Sequence, residues 1–186
     1  MTKKEFDNYF SLKRIVQDKQ EVEQLIFKVL NPLQPKLILE IGLEGGSTSN
    51  IWRHYCKRLD GLFIGVDTVV SHAKDFLTIN GYDFHTKLIQ GRSQDPNIIN
   101  EVRDSIEGKF DFIYLDGAHE LDQVYLDIKN YYPMLRYEGV MALHDANKAG
   151  PGPYRAIQQA KSDGIVNFSE EKLIAGKMGT FWGKKK

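Results

Sequence analysis

Short apolar segments alternate along this chain with longer stretches in which apolar positions recur at helical spacing. The first segment, 37–41, reads Leu-Ile-Leu-Glu-Ile, and others stand at 61–66, 86–90, 110–115 and 140–143. A run with little polar alternation marks a strand buried on both faces, as in a parallel sheet covered by helices. Stretches 50–59, 71–80, 96–106, 121–132 and 154–161 carry the helical pattern between and after these runs. Strand followed by helix, repeated, predicts an α/β fold with a Rossmann-like, doubly wound, mostly parallel sheet. Two last segments, 165–169 and 178–182, flank a polar turn and predict an antiparallel pair at the edge. The expected sheet therefore has about seven strands.

Ahead of the first strand, 5–30 reads as two helical pieces, the second placing Val22, Leu25, Ile26 and Val29 on one face. Asn31-Pro32 and Gln34-Pro35 are expected to stop it. Residues 1–35 thus form a helical extension and 36–186 the α/β unit, within one domain overall. Three roles stay open for the extension: covering the sheet edge, roofing a site, or pairing with a second copy in a homo-oligomer.

Composition adds exclusions. The 25 basic residues balance 25 acidic ones, so no global charge favours nucleic acid. Cys56 is the sole cysteine, which rules out an internal disulfide or a zinc framework, and it reads as a buried or half-buried helix position. No apolar run approaches the roughly 18 residues of a membrane span, and the charged opening residues lack a signal-peptide core. No membrane partner and a cytoplasmic location are expected. Lys184 to Lys186 read as a solvated end.

The chemistry concentrates at strand ends. After the first strand, Gly42, Gly45 and Gly46 form a turn, and Ser47 or Thr48 is placed to cap the next helix. Ligands of open α/β sheets sit beyond such carboxyl ends. Glu40 and Glu44 would repel a phosphate by roughly 1 kcal/mol or more, and neither the dinucleotide fingerprint nor the P-loop pattern is present. That argues against a Rossmann oxidoreductase. S-adenosylmethionine carries a sulfonium and an ammonium but no phosphate, and suits this turn. Asp67 ends the second strand, 25 positions after Gly42, where a carboxylate accepts from ribose hydroxyls; a helix cap at Asp67 or Ser71 is the alternative. Asp116 and His119 leave the fourth strand three residues apart, a carboxylate beside a potential base. Asp145 ends the fifth strand and lands beside Asp116 if the two strands share one half of the sheet; two such carboxylates suit a divalent ion such as Mg²⁺. His144 reads as a supporting partner or core residue in preference to a ligand. The loop Gly150 to Pro153 is placed to shape substrate entry.

The spacing Glu40-x-Gly42-x-x-x-Gly46 resembles the first motif of class I S-adenosylmethionine-dependent methyltransferases. Together with Asp67, Gly91-x-Ser93-Gln94-Asp95, Asp116-Gly-x-His119 and His144-Asp145, it resembles the metal-dependent O-methyltransferases across 37–145. Leu-Asp-Gly-Ala-His and Leu-His-Asp point to the branch with macrolide-sugar and cephalosporin-biosynthesis enzymes. The resemblance implies S-adenosylmethionine held by Glu40, Gly42, Gly46, Ser47, Thr48, Asp67 and Asp116, with Ser93 and Gln94 on the adenine side. It implies Mg²⁺ held by Asp116 and Asp145, and His119 as the base that deprotonates a hydroxyl of a sugar or other small molecule. Catechol-type enzymes have a lysine where His119 stands; macrolide-sugar enzymes have a histidine. One departure is Ala146, where the catechol pattern carries an asparagine ligand; Asn147 comes one place later. A non-catalytic cofactor-binding module with this fold is therefore the competing expectation.

Overall fold

The computed structural model describes residues 1–11, 17–81, 85–147 and 152–186. Two N-terminal helices, α1 (Lys3–Ser11) and α2 (Lys19–Leu25), precede the sheet; the connection at 12–16 lies outside the described residues. Asn31-Pro32 does not stop the second helix as expected. From α2 the chain continues through a π-helical turn, Ile26–Leu30, into the short α3 (Asn31–Leu33). The Asn31 N–H reaches back five residues to the Ile26 carbonyl, and Pro32 has no N–H to satisfy. Reversal comes at Gln34, in the left-handed region at φ 49°.

Five parallel strands follow: β1 (Leu37–Ile41), β2 (Leu62–Asp67), β3 (Thr86–Gln90), β4 (Phe110–Leu115) and β5 (Leu135–Leu143). The helices α4 (Ser47–Arg58), α5 (Ser71–Ile79), α6 (Pro96–Asp104) and α7 (Leu121–Tyr131) connect them, and α8 (Pro153–Ser162) leads to β6 (Phe168–Ile174) and β7 (Thr180–Lys185). The strand order β3-β2-β1-β4-β5-β7-β6 reverses between β1 and β4, which creates a crevice at their carboxyl ends.

Because strand side chains alternate, each central strand feeds two cores. Leu39, Ile41, Ile64, Val66, Ile113, Leu115, Met141 and Leu143 pack with Val102, Val124, Ile128 and Ile157 from the helices on one face. Ile38, Phe63, Phe112, Tyr114, Val140 and Ala142 pack on the other with Phe6, Leu25, Ile51, Trp52, Tyr55 and Cys56. Fully burying any one of these large side chains contributes about 1.5–3 kcal/mol. The N-terminal helices thus cover one face of the sheet.

Two boundaries differ from expectation for physical reasons. β5 begins at Leu135, earlier than its apolar stretch suggests, and accommodates Glu138 (φ 57°) where its register with β4 slips between Phe110 and Phe112. The closing pair is also longer and shifted. β7 inserts between β5 and β6, antiparallel to both, because Phe181 and Trp182 are buried whereas the charged Glu170, Glu171 and Lys172 of β6 tolerate a solvated edge. Lys185 is no solvated tail: it lies in β7, its Nζ donating to the Tyr132 and Leu135 carbonyls at 3.0 and 2.9 Å. No helix among the described residues is long and apolar enough to cross a membrane.

Candidate active site

The strand ladders do not stop where the strands do. Gly42 N–H bonds to Val66 O, Asp116 N–H to Ile41 O, and His144 N–H to Leu115 O, at 2.8–3.0 Å. Three strand-end loops are thereby drawn into register side by side. They open on a cavity of ≈ 1110 Å³ lined by Gly42, Thr48, Asp67, Ser93, Gln94, Asp116, His119 and Asp145 among others. Eight sequence-predicted positions therefore share one space.

Three others do not line it. Glu40 faces away from the cavity side of β1, is fully buried, and accepts from the Thr48 hydroxyl (2.7 Å), the Ser49 hydroxyl and the Trp52 indole N–H (3.0 Å). Burial pushes its carboxyl up to about 8, with the donated hydrogen bonds pulling the other way. Glu40 therefore ties β1 to the start of α4 beneath the site. Gly46 packs against Ala73, and Ser47 is buried in the first turn of α4. Neither Ser47 nor Thr48 caps that helix: Gly46 is the capping position, in the left-handed region at φ 77°, with no side-chain cap.

At one end of the cavity, Asp67 organises the glycine turn. One carboxylate oxygen accepts from the Leu43 and Glu44 N–H groups at 2.7 and 3.2 Å, the other from Thr68 Oγ1 and Val69 N–H at 3.2 and 3.1 Å. The alternative of a cap on α5 is not what Asp67 does, since the residue before that helix is Val70 and it has no side-chain cap. Ser93 and Gln94 are fixed from behind by α7. Gln94 Nε2 donates to Asp127 Oδ1 at 2.9 Å, and Tyr131 OH to the Ser93 carbonyl at 2.7 Å. Burial raises the Asp127 carboxyl to about 6 against the hydrogen bonds from Ser93 and Gln94. Asp95 caps α6 by accepting from Asn97 N–H.

At the other end, Asp116, His144 and Asp145 converge, with ligand atoms within 4.8 Å of one another. His144 Nδ1 lies 3.1 Å from both Asp116 Oδ1 and Asp145 Oδ2, so the imidazole bridges the carboxylates. Its burial opposes protonation, but the two carboxylate hydrogen bonds outweigh that and push it up to about 10. Burial likewise works to raise Asp145, while His144 and His119 hold it below the usual carboxylate range. Asp145 adopts the left-handed region at φ 52°, a conformation aspartate tolerates better than most residues and one common at functional sites. His119 stands at the mouth, its side chain 62% exposed, with Nε2 2.7 Å from Asp145 Oδ2. Two carboxylates and an imidazole form a donor set that fits a divalent ion, and Asp145 Oδ1 is buried without a hydrogen-bond partner among the described residues. Ala146 is fully buried and offers the site no side-chain ligand.

Sequence reading missed three polar contributors. Gln17, ahead of α2, donates from Nε2 to Asp116 Oδ2 at 2.8 Å and lines the cavity with Asp18. Gln17 and Asp18 thus bring the extension to the cavity wall. Asp127 and Glu21 were legible only as carboxylates on otherwise apolar helix faces, beside Val124 and Ile128 and beside Val22 and Leu25. Of the entry loop expected at Gly150 to Pro153, residues up to 151 lie outside the described residues; Gly152 and Pro153 line the cavity.

A family model described as a methyltransferase domain matches residues 39–146, the span from β1 to just past Asp145. Rhamnosyl O-methyltransferases of Mycobacterium tuberculosis and Mycobacterium bovis are 26% identical over 163 residues, covering 82% of this chain and 66% of theirs. The chain thus spans just under two thirds of the length of these relatives. Among solved structures, an O-methyltransferase from Bacillus cereus in complex with SAH superposes with a TM-score of 0.72 at 12% identity, over 100% of this chain and 92% of that one. The MycE methyltransferase of the mycinamycin pathway, in complex with Mg, SAH and mycinamycin VI, superposes with a TM-score of 0.67 at 19% identity, over 98% and 54%.

Proposed function

The chain belongs to the family of methyltransferase domains, and from that premise we propose that it transfers the methyl group of S-adenosylmethionine to a hydroxyl of a sugar or other small molecule. The observation that carries the reading is the shared cavity, in which the Asp67-braced glycine turn faces the Asp116, His119 and Asp145 cluster. The rhamnosyl relatives support a sugar acceptor, and the cofactor product and ion in the MycE complex support the two-part site.

S-adenosylmethionine, when bound, supplies an electrophilic methyl on a good leaving group. A divalent ion such as Mg²⁺, held by Asp116 and Asp145, would supply Lewis acidity that lowers the acceptor hydroxyl pKa. The chain's own residues do the rest. The Gly42–Glu44 backbone and Asp67 bind the cofactor, with Asp67 the ribose ligand, and Ser93 and Gln94 close on the adenine. His119 takes the hydroxyl proton at the cavity mouth, oriented by Asp145. Holding acceptor and methyl in line contributes much of the remaining rate.

Titration calorimetry with S-adenosylmethionine, once with Mg²⁺ and once with a chelator, tests the reading. Binding is expected, followed by turnover in a screen of sugar diols and phenols; no binding in either buffer overturns it. Asp67→Ala is expected to weaken cofactor affinity by roughly tenfold to a hundredfold, since hydrogen bonds to a charged group are worth about 1.5–3 kcal/mol and this carboxylate serves both ribose and turn. Unaltered affinity in the same titration removes Asp67 from the role.

A further inference from the structure

We infer that α2 positions the acidic cluster from outside it, with Glu21 the positioning residue; the inference rests on the functional reading above. Glu21 is fully buried, yet it accepts three hydrogen bonds, none of them from its own helix. Its Oε1 takes Met178 N–H and Gly179 N–H, each at 3.0 Å, and its Oε2 takes the Thr180 hydroxyl at 2.7 Å. Met178 and Gly179 end the connection from β6 into β7, and Thr180 is the first residue of β7. A Cβ on Gly176 would stand 2.1 Å from Glu21 Oε1, so that connection is shaped around the carboxylate.

The connection in turn bears on the site. Gly179 O accepts the Ala146 N–H at 2.8 Å, and Ala146 is the residue after Asp145. Gly179 has φ 81°, and a Cβ there would press within 3.0 Å of Asn147 N. Four residues before Glu21 and just ahead of α2, Gln17 donates to Asp116 Oδ2. The stretch from Gln17 to Glu21 therefore reaches both carboxylates of the cluster. It meets Asp116 directly through Gln17, and Asp145 through Glu21, Gly179 and Ala146.

This gives a physical reason for a buried carboxylate 157 residues from the backbone it binds. Truncating Glu21 would leave the buried Gly179 amide and Thr180 hydroxyl, and the half-buried Met178 amide, without their acceptor, so the β6–β7 connection would shift. With it would go the hydrogen bond that fixes the chain just after Asp145, whose left-handed backbone depends on its surroundings. The glycine turn and Asp67 make none of these contacts and should not respond.

The test uses the full chain as Glu21→Ala, Glu21→Gln and Thr180→Val. Three quantities are read: Mn²⁺ affinity from the paramagnetic resonance of free ion, SAH affinity by calorimetry, and backbone hydrogen exchange over 143–147 and 175–180. Supporting residues behind a metal site commonly change affinity by 10–100-fold. Glu21→Ala is expected to weaken Mn²⁺ at least tenfold and speed exchange in both segments, with SAH affinity within about twofold of the parent. Glu21→Gln, which keeps an acceptor for the two amides, should restore most of the loss. Thr180→Val removes one donor and should give a smaller change in the same direction; it carries the test if Glu21→Ala does not fold. A folded variant with parental Mn²⁺ affinity and parental exchange at 143–147 overturns the inference, as does an equal loss of SAH affinity. If the parent binds SAH but no Mn²⁺, the metal element of the proposed function fails, and exchange at 143–147 alone decides the role of Glu21.

Discussion

Gly42→Ala is expected to cost at least a hundredfold in S-adenosylmethionine affinity and to lower the melting temperature. A Cβ at this position would lie 2.3 Å from Asp116 O and 2.5 Å from both Asp116 C and Gly117 Cα. All three are backbone atoms, so no side-chain rotation relieves the overlap. The residue also has φ 88°, a region that costs a side-chain-bearing residue about 1–3 kcal/mol. To accept the methyl group, the β1 and β4 loops must part, and those loops are the two walls of the cavity at the strand-order reversal. Gly108→Ala is the control. It too has a positive φ, 107°, but a Cβ there meets nothing within 4 Å, so only conformational cost is expected and cofactor affinity should hold. Calorimetry and thermal unfolding of both variants check this. A Gly42→Ala protein that binds like the parent would show that the cofactor does not use this crevice.

His119→Ala is expected to lower kcat by about 10² or more while leaving cofactor affinity and melting temperature close to those of the parent. The side chain is 62% exposed at the mouth, so its removal disturbs little packing. Its contact with Asp145 Oδ2 at 2.7 Å fixes one ring nitrogen against the cluster. Single-turnover rates with the acceptor found by screening, compared at equal cofactor saturation, measure the effect. Turnover equal to the parent would take His119 out of proton transfer. The competing expectation of a non-catalytic module makes a separate prediction: cofactor binding by the parent, but no methyl transfer to any acceptor.

Much of this molecule is local in origin and was legible along the chain. Apolar runs and their spacing specify which segments become strands and helices, because side-chain periods of 2 and 3.6 are properties of each element alone. Gly42 announces its turn because few other residues adopt its backbone, and Asp67, Asp116, His119 and Asp145 announce themselves by standing where strands end. Other features follow from residues far apart in sequence meeting through packing. Glu40 reads as a cofactor ligand, but strand alternation turns it onto the α4 face, where Thr48, Ser49 and Trp52 enclose it. The last two strands read as an antiparallel pair at the edge, as they are, but their order is not local: the burial of β7 on both faces places it between β5 and β6.

The α/β class, the residues that stand at the strand ends and the family are all readable along the chain, since each rests on patterns a few residues long. Only the tertiary structure decided that His144 bridges the two carboxylates, that Gln17 meets Asp116 across 99 residues, and that Glu21 holds the connection behind Asp145. Contacts at such separations leave no local signature, because they are selected by how whole faces pack and not by the preferences of the residues that make them.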